Sequence, residues 1–379
     1  NSCQTIAGIF SAKEAVSKAF KTGIGKDLGL KDIEILHKNG AAYVNLDNEK
    51  IKRLLEENQA DGLDISISHD GDYAISQAIL FKSPSQEDYY PPVDKKMAAL
   101  LPKRDENFNK YDYGNVLIIG GKKGMHGSVS LCSLASMRTG VGLSHVLVPE
   151  SIESQVSNKV LESIIHTYGA DQDGEFADFD QEDFVTFIKR FDAIAFGPGI
   201  GKKAPARTML KILLTSYAGP LIVDADGISL LSDLGAFSKE NVYITPHEGE
   251  FARISGLKPA RIREDRLGTC QEFLERCPIN LLLKGKDSII INKEETYINK
   301  SGSSALATAG SGDSLTGILV ALLARKDHLD MMKLSAYIHG LAGDYASQDL
   351  GEDSVIASDI IGYIPKVIKN LRKEEANGK

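Results

Sequence analysis

Short apolar runs separated by helix-length amphipathic stretches dominate the chain after residue 104. Six of these runs have the length and composition of strands: Val116–Ile119, His145–Val148, Ala193–Phe196, Leu221–Val223, Val242–Thr245 and Asn280–Leu283. Alternation of strands and helices is typical of a parallel sheet with right-handed helical crossovers, and it predicts an α/β sandwich. Ligands of such sheets bind beyond the carboxyl ends of the strands, so the residues that follow each run are the candidates for chemistry.

The first 82 residues follow a different pattern. Apolar residues recur at helical intervals from Ser11 to Phe20, whereas Asp64–Ile67 and Tyr73–Leu80 alternate like strands on either side of a His-Asp-Gly-Asp turn. This pattern predicts a small α+β domain at residues 1–82. Residues 83–104 are rich in proline and show little periodicity, which predicts a linker to a larger domain at residues 105–372.

Composition and charge exclude several classes of protein. A net charge of -8 over 379 residues argues against a non-specific nucleic-acid binder or a protein of anionic membrane surfaces. The apolar runs fall short of the roughly 18 residues that a membrane-spanning helix needs. The four cysteines form no CxxC pair, so we expect reduced thiols in a cytoplasmic protein.

The strongest chemical signal is Ala309-Gly310-Ser311-Gly312-Asp313, which precedes the helix-forming run Ser314–Ala324. Glycines let backbone N–H groups converge on an anion, and the positive end of the following helix adds to that attraction. An aspartate in the first turn then lies within reach of a hydroxyl that approaches the bound phosphate, where it could accept the proton. Taken alone, the motif also fits an aspartate that caps a helix behind a glycine turn.

Four further motifs follow predicted strands: Gly197-Pro198-Gly199-Ile200-Gly201, Asp224-Ala225-Asp226-Gly227, Thr245-Pro246-His247-Glu248-Gly249-Glu250 and Leu283-Lys284-Gly285-Lys286. Each has an ordinary structural explanation, such as a glycine turn, helix-capping aspartates or a solvated lysine face. Lysines at a strand end would also place ammonium groups beside phosphates. Because all four motifs fall at strand ends, we interpret them as parts of one site.

These motifs resemble the NAD(P)H-hydrate dehydratases in order and spacing, as do GNVLIIGGKKGMHG at 114–127, RTGVGL at 138–143, NKSGSSALATAGSGDSLTG at 299–317, HGLAGD at 339–344 and ASD at 357–359. The resemblance covers about residues 104–371 and implies a ribokinase-like three-layer sandwich. It implies that Asp313 is the catalytic base and that Gly310–Gly312 form the anion hole. The implied nucleotide-binding residues are Lys284, Gly285, Lys286, Ala309, Gly310, Ser311 and Gly312. The implied substrate-binding residues are Gly121, Gly124, Gly127, Asn158, Gly199, His247 and Asp313.

The activity implied by this resemblance is an ADP-dependent dehydration of hydrated NADH or NADPH (NADHX or NADPHX), with Mg²⁺ as cofactor and AMP and phosphate as products. The glycines at 120–127 lack GxGxxG spacing, and no acidic residue ends a second strand about 20 residues later, so we expect the nicotinamide nucleotide to be substrate rather than cofactor. We also expect a homo-oligomer.

Two alternative functions stay open: a small-molecule kinase of the same superfamily and a non-catalytic nucleotide-binding module. The sequence departs from the family pattern at Glu248, where proline is usual, and at Leu161-Glu162-Ser163, where the pattern is PE-M.

Phe10–Ala19, Thr22–Gly25, Asp32–Glu34 and Ile65–Asp70 resemble a holo-(acyl-carrier-protein) synthase, a 4'-phosphopantetheinyl transferase. The resemblance implies coenzyme A as donor and an acyl carrier protein as partner, with Glu14 as a magnesium ligand and Lys18 beside the reacting phosphate. The spacing of Glu14 and Lys18 also fits an ordinary helical ion pair. The family's metal-binding aspartate lies upstream of the matched helix and has no counterpart in the sequence, so we expect this domain to be inactive in this chain.

Overall fold

The computed structural model describes residues 3–38, 40–71, 73–82, 90–234, 239–326 and 328–377. The chain divides into two compact units, residues 1–90 and 91–379. No helix among the described residues is both long enough and apolar enough to cross a membrane.

The smaller unit contains α1 (Cys3–Ala19), β1 (Ile35–Lys38), β2 (Ala41–Val44), α2 (Glu49–Glu57), β3 (Gly62–Asp70) and β4 (Tyr73–Phe81). The strands form two antiparallel pairs, β1 with β2 and β3 with β4. One face of the β3–β4 pair packs Leu63 and Leu80 against Val16 of α1 and Ile51 of α2. The predicted helix and strand pair are confirmed, whereas β1, β2 and α2 lie in sequence that the apolar pattern left unassigned.

The larger unit alternates strands and helices along the chain. Its elements are α3 (Lys95–Leu100), β5 (Asn115–Ile119), α4 (His126–Thr139), β6 (Leu143–Pro149), α5 (Glu153–Ser157), β7 (Ile164–Tyr168), α6 (Gln181–Ile188), β8 (Ala193–Phe196), α7 (Ala204–Ser216), β9 (Leu221–Val223), α8 (Asp226–Asp233), β10 (Val242–Ile244), α9 (Glu248–Ser255), α10 (Pro259–Glu264), α11 (Arg266–Arg276), β11 (Asn280–Leu283), β12 (Ser288–Ile291), β13 (Thr296–Asn299), α12 (Ser311–Leu323), α13 (Leu329–Leu350) and α14 (Ala357–Asn377).

A nine-stranded sheet in the order β13-β12-β11-β10-β9-β8-β5-β6-β7 forms the centre of this unit. All neighbours from β11 to β7 are parallel, whereas β12 and β13 continue the sheet antiparallel. The six predicted strands correspond to β5, β6, β8, β9, β10 and β11, and the α/β prediction is confirmed. The seven parallel strands bring the loops after their carboxyl ends to one edge, where the predicted motifs lie.

The start of the larger unit differs from the predicted linker of residues 83–104. Helix α3 lies within that segment, and the Asp94 side chain caps it by accepting a hydrogen bond from the Lys96 N–H at 2.7 Å. Met97 and Ala98 of α3 are buried. A six-residue helix between prolines leaves too short a periodic pattern to recognise in the sequence. Residues 83–89 of the predicted linker lie outside the described residues.

Helix α12 is almost entirely buried, packing against α4 and against β8 and β9. The approach to α4 is close because Gly317 has no side chain: a Cβ there would lie 2.1 Å from the Cys132 carbonyl oxygen. This packing holds the first turn of α12 at the carboxyl edge of the sheet.

Candidate active site

The first turn of α12 carries Asp313 and begins at a residue that only glycine suits well. Gly310 is the N-cap, with φ of 83°. This left-handed conformation is energetically unfavourable for residues other than glycine. A Cβ at Gly310 would also lie 2.5 Å from Leu131 Cδ1. No side chain caps this end of the helix. The first-turn N–H groups and the helix dipole therefore favour an anion at this point.

Asp313 is largely buried in this turn, and its environment favours the protonated form. Burial, and to a smaller extent the negative charge of Asp224, raise the pKa of Asp313 to about 7. A hydrogen bond from Ser128 and the positive charge of Lys284 act in the opposite direction. A carboxyl group that exchanges its proton near neutral pH suits general acid–base catalysis.

Asp224 joins three of the predicted motifs. It follows β9 directly and is only 1% exposed. One carboxylate oxygen accepts a hydrogen bond from Thr316 Oγ1 of α12 at 2.7 Å, and the other lies 3.0 Å from Lys284 Nζ. A buried carboxylate needs such partners, because removing a charge from water is costly unless it is paired. Thr316 and Lys284 thus fix the ends of β9 and β11 to α12.

The Lys284 ammonium group lies beside the glycine loop. A Cβ on Gly312 would be 3.2 Å from Lys284 Nζ and 4.0 Å from Asp224 Oδ2. Burial lowers the pKa of Lys284, but the negative charges of Asp224 and Glu250 outweigh it and raise the pKa overall. A permanent positive charge therefore stands next to the N–H groups of α12, an arrangement that suits a phosphate.

Arg266, which belongs to none of the sequence motifs, supports the backbone around Lys284. Its guanidinium donates hydrogen bonds to the carbonyl oxygens of Lys284 at 3.1 Å and Leu283 at 3.3 Å. Arg266 Nε lies 3.6 Å from Glu248 Oε1, so the residue that replaces the family's usual proline has an electrostatic partner here. Gly285 lets the guanidinium approach, because a Cβ there would lie 2.7 Å from Arg266 Nη2. Lys286 is exposed.

His339 of α13 supports the first turn of α12 from behind. Its Nε2 lies 3.2 Å from both Ser311 Oγ and Ser314 Oγ. Burial lowers the pKa of His339 to about 4, so the ring is neutral at physiological pH. Ser311 thus faces a buried histidine, whereas Ala309 is exposed. In the sequence, His339 is marked only as the first residue of the HGLAGD motif.

The loop after β8 packs against the loops that follow β5 and β9. Pro198 O accepts a hydrogen bond from the Gly121 N–H at 2.8 Å, and a Cβ on Gly199 would lie 3.0 Å from Met125 Cβ. A Cβ on Gly197 would lie 2.0 Å from the Asp224 carbonyl oxygen. These close contacts place Gly121 and Gly199 on the β5–β8 side of Asp313.

His247 is exposed and caps α9. Its Nδ1 accepts a hydrogen bond from the Gly249 N–H at 2.9 Å, and Glu250 Oε2 accepts one from the His247 N–H at 2.9 Å. The imidazole is 60% exposed. Burial raises the pKa of Glu250, while Lys284 lowers it and Asp224 raises it, so the His247 loop adjoins the Asp224–Lys284 pair.

The remaining candidates are not among the groups that act on Asp313. Asn158 follows α5 and is exposed, and it is not among the described contacts of Asp313. A Cβ on Gly124 or Gly127 would meet nothing within 4 Å, and Gly124 lines a cavity of about 390 Å³. In the smaller unit, Glu14 lies 2.8 Å from Lys18 in an exposed ion pair. Within the described part of the chain, the group with metal-ligand spacing consists of Glu295, His328 and Asp330. Glu14 is not a member of this group.

Comparison with protein-family models gives two matches. Residues 116–366, more than half of the chain, match the family described as NAD(P)H-hydrate dehydratase. Residues 1–78 match the 4'-phosphopantetheinyl transferase superfamily.

Curated relatives named "Bifunctional NAD(P)H-hydrate repair enzyme Nnr" match more than two thirds of this chain. The protein from Moorella thermoacetica is 32% identical over 279 residues, which are 72% of this chain and 53% of that protein. The protein from Dictyoglomus turgidum is 35% identical over 264 residues, which are 68% of this chain and 51% of that protein. The chain thus spans about half the length of these relatives.

Solved structures share the fold at lower identity. A ribokinase-like superfamily protein from Enterococcus faecalis has a TM-score of 0.65 at 24% identity, covering 80% of this chain and 99% of that one. The ADP/ATP-dependent NAD(P)H-hydrate dehydratase from Bacillus subtilis, co-crystallised with ATP and Mg²⁺, has a TM-score of 0.63 at 24% identity, covering 74% and 99%. The predicted ribokinase-like fold is confirmed, and through residues 116–366 the chain belongs to the NAD(P)H-hydrate dehydratase family.

Proposed function

We propose that the larger unit dehydrates hydrated NADH or NADPH with ADP as phosphoryl donor, releasing AMP, phosphate and the repaired nucleotide. The observation that carries this proposal is the position of Asp313, a carboxyl group with a pKa near 7 in the uncapped first turn of α12, next to Lys284 and Gly312. The names of the curated relatives support the same activity.

ADP would bind with its phosphates at the first turn of α12 and at Lys284. The N–H groups of the glycine loop and the ammonium group then stabilise the charge on the phosphoryl group that moves. The candidate nucleotide-binding residues are Lys284, Gly285, Lys286, Ala309, Gly310, Ser311 and Gly312. Arg266 keeps the backbone of Lys284 and Gly285 in place through its carbonyl contacts.

A magnesium ion bound with the nucleotide would lie near the acidic groups beside Lys284. Asp224 and Glu250 are the carboxylates whose charges act on Lys284, and Mg²⁺ commonly combines one or two carboxylates with substrate phosphates. When bound, the ion would neutralise phosphate charge. Asp224 and Glu250 would hold it together with the nucleotide.

Asp313 would act on the hydroxyl that hydration adds to the reduced nicotinamide ring. The carboxylate accepts the hydroxyl proton while the oxygen forms a bond to the terminal phosphorus of ADP, whose bond to the bridging oxygen breaks to release AMP. Phosphate is a better leaving group than hydroxide. The lone pair of the ring nitrogen then expels it, and loss of a ring proton restores the double bond.

The test is an assay of the full chain with hydrated NADH or NADPH and with ADP or ATP. The expected result is recovery of reduced-nicotinamide absorbance together with one AMP and one phosphate per ADP consumed. If turnover is faster with ATP than with ADP, the proposal that ADP is the phosphoryl donor is wrong. Accumulation of a phosphorylated small molecule without recovered absorbance would indicate a kinase, and ADP binding without turnover a non-catalytic module.

For the smaller unit, we propose no appreciable phosphopantetheinyl transfer. Its match to the transferase superfamily names the reaction to test, with coenzyme A as donor and an acyl carrier protein as acceptor. The proposal is supported by the surroundings of Glu14, which among the described residues belongs to no group of three side chains with metal-ligand spacing.

A further inference from the structure

A cavity of about 390 Å³ lies at the carboxyl ends of β5, β6 and β7. Its walls come from the loop after β5 with Lys123, Gly124 and His126, from Ser151 and Gln155 after β6, and from the turn at residues 171–174 after β7. Pockets for small ligands usually measure roughly 300–1,000 Å³, so this one is large enough for part of a dinucleotide but small for a whole one.

The cavity and Lys284 lie at the ends of different strands, with strand β9, which Asp224 follows, between them. Ser128, which donates a hydrogen bond to Asp313, and His126, which lines the cavity, both belong to the first turn of α4. Lys284 follows β11, on the far side of β9 and β8. Three strand spacings separate β9 from β6, or roughly 14 Å at ~4.8 Å each. A ligand that reaches from Asp313 into the cavity therefore extends away from Lys284.

Lys123 gives the cavity a positive charge that no described carboxylate neutralises. Its side chain is exposed and, among the residues that the structure describes, forms no ion pair. The neighbouring acidic residues have other partners: Glu175 lies 3.0 Å from Lys122 Nζ, and Asp171 lies 2.6 Å from Lys203 Nζ. The hydrogen bond from Lys203 lowers the pKa of Asp171, so that carboxylate stays ionised and paired.

The walls of the cavity are tied to one another. The Gly174 carbonyl oxygen accepts hydrogen bonds from Ser151 Oγ at 3.0 Å and from the Lys123 N–H at 3.1 Å. Asp171 Oδ1 accepts from the N–H groups of Asp173 at 2.9 Å and Glu175 at 3.0 Å. The loops after all three strands are thus held in one arrangement, as expected of a preformed ligand pocket.

We propose that this cavity binds the adenosine half of the hydrated dinucleotide, with Lys123 contacting the phosphates that belong to that half and not the one attached to the nicotinamide ribose. This inference rests on the proposed function, because it assumes that the hydrated nicotinamide ring lies at Asp313. A dinucleotide joins its two nucleosides through a pyrophosphate, so its second half has to lie away from the reacting ring. Lys123, the imidazole of His126 and the amide of Gln155 provide donors for phosphate and ribose oxygens.

The test compares two substrates on the full chain: hydrated NADPH, and hydrated reduced nicotinamide mononucleotide, which lacks the adenosine half. For Lys123→Glu, we expect KM for hydrated NADPH to rise about 10-fold or more, the usual effect of losing one charge-assisted hydrogen bond, with little change in kcat. KM for the mononucleotide should stay as in the wild type. Lys123→Arg should restore most of the affinity for hydrated NADPH.

Lys211→Glu is the matched control, because Lys211 is exposed on α7 and does not line the cavity. It should leave both KM values unchanged. Equal effects of Lys123→Glu on the two substrates, or no effect on either, would overturn the subsite while leaving the proposed function intact. If the wild type converts neither substrate, the proposed function fails. Calorimetric titration of NADPH into the wild type and Lys123→Glu then tests binding in the cavity without catalysis. Equal affinities of the two proteins for NADPH would refute the subsite.

Discussion

Asp313 is the residue on which the proposed chemistry depends, and Asp313→Asn isolates its role. The amide keeps the size of the side chain but cannot accept the hydroxyl proton. We expect kcat to fall by at least about 100-fold, the lower end of general-base contributions, while ADP binding is retained. Steady-state kinetics and calorimetric titration of ADP provide the two measurements. Near-wild-type kcat in this variant would remove Asp313 from the mechanism.

The dependence of kcat/KM on pH gives a second prediction at the scale of single residues. Since the base must be ionised, activity should rise with pH through a pKa near 7, the value to which burial and the charge of Asp224 together raise the pKa of Asp313. Asp224 also raises this pKa, so in Asp224→Asn the rise should move to lower pH, whatever the loss of rate.

The control for this pH shift is Asp226→Asn. Asp226 belongs to the same motif but accepts its hydrogen bond from the Gly201 N–H, and it is not among the charges that act on Asp313. Its pH profile should match that of the wild type. A profile that stays in place in Asp224→Asn would contradict the electrostatic coupling of the two aspartates.

At the scale of elements, the contact between α4 and α12 holds the site together. Ser128 of α4 donates a hydrogen bond to Asp313 of α12. Gly317 lets the two helices approach so closely that a Cβ at this position would lie 2.1 Å from the Cys132 carbonyl oxygen. Gly317→Ala should therefore push the helices apart and reduce the free energy of unfolding by roughly 2–3 kcal/mol, in the upper range for overpacking. Denaturant unfolding followed by circular dichroism measures this change.

Gly362→Ala in α14 serves as the control for Gly317→Ala. A Cβ there would meet nothing within 4 Å, and alanine favours the helix by roughly 0.5–1 kcal/mol over glycine. This variant should be as stable as the wild type or slightly more stable. If Gly317→Ala also left stability unchanged, the α4–α12 contact would be looser than the structure indicates.

At the scale of the whole molecule, the proposed dehydratase residues all belong to one unit. Asp313, Lys284, Asp224 and the cavity with Lys123 lie within residues 91–379. We expect a protein of residues 91–379 to dehydrate hydrated NADPH with kcat/KM within about threefold of the full chain, a difference below 1 kcal/mol. A much larger loss would show that residues 1–90 contribute to the site.

The smaller unit can be tested by mass spectrometry of an acyl carrier protein incubated with coenzyme A, Mg²⁺ and the full chain. We expect little or no mass increase, because Glu14 is the one carboxylate that the resemblance assigns to the metal and it is paired with Lys18. Lys18→Ala, which releases Glu14, serves as the comparison. Rapid and complete modification by the wild type would show that other residues, for example Asp32, Glu34 or Asp70, complete the metal site.

The fold could be predicted from the sequence to the extent that local patterns specify it. Strands buried on both faces, such as β8 and β11, leave continuous apolar runs, so six of the seven parallel strands were evident. Strand β7 forms the sheet edge with mixed exposure and includes His166, and β12 and β13 lie so close together that no helix-length spacing marks them. Helix α3 could not be predicted for a similar reason: its six residues form less than two helical turns, too few to show a helical period.

For the candidate site, the sequence by itself determined which loops carry chemistry, because glycines, aspartates and lysines that follow apolar runs are local features. Only the tertiary structure decided how these residues meet. The bonds from Lys284 and Thr316 to Asp224 join residues 60 and 92 positions apart, and Arg266 reaches a backbone 18 residues away. The pKa of Asp313 and the free charge of Lys123 likewise depend on burial and on neighbours from other strands. Such distances and electrostatic environments arise from packing and leave no periodic signal along the chain.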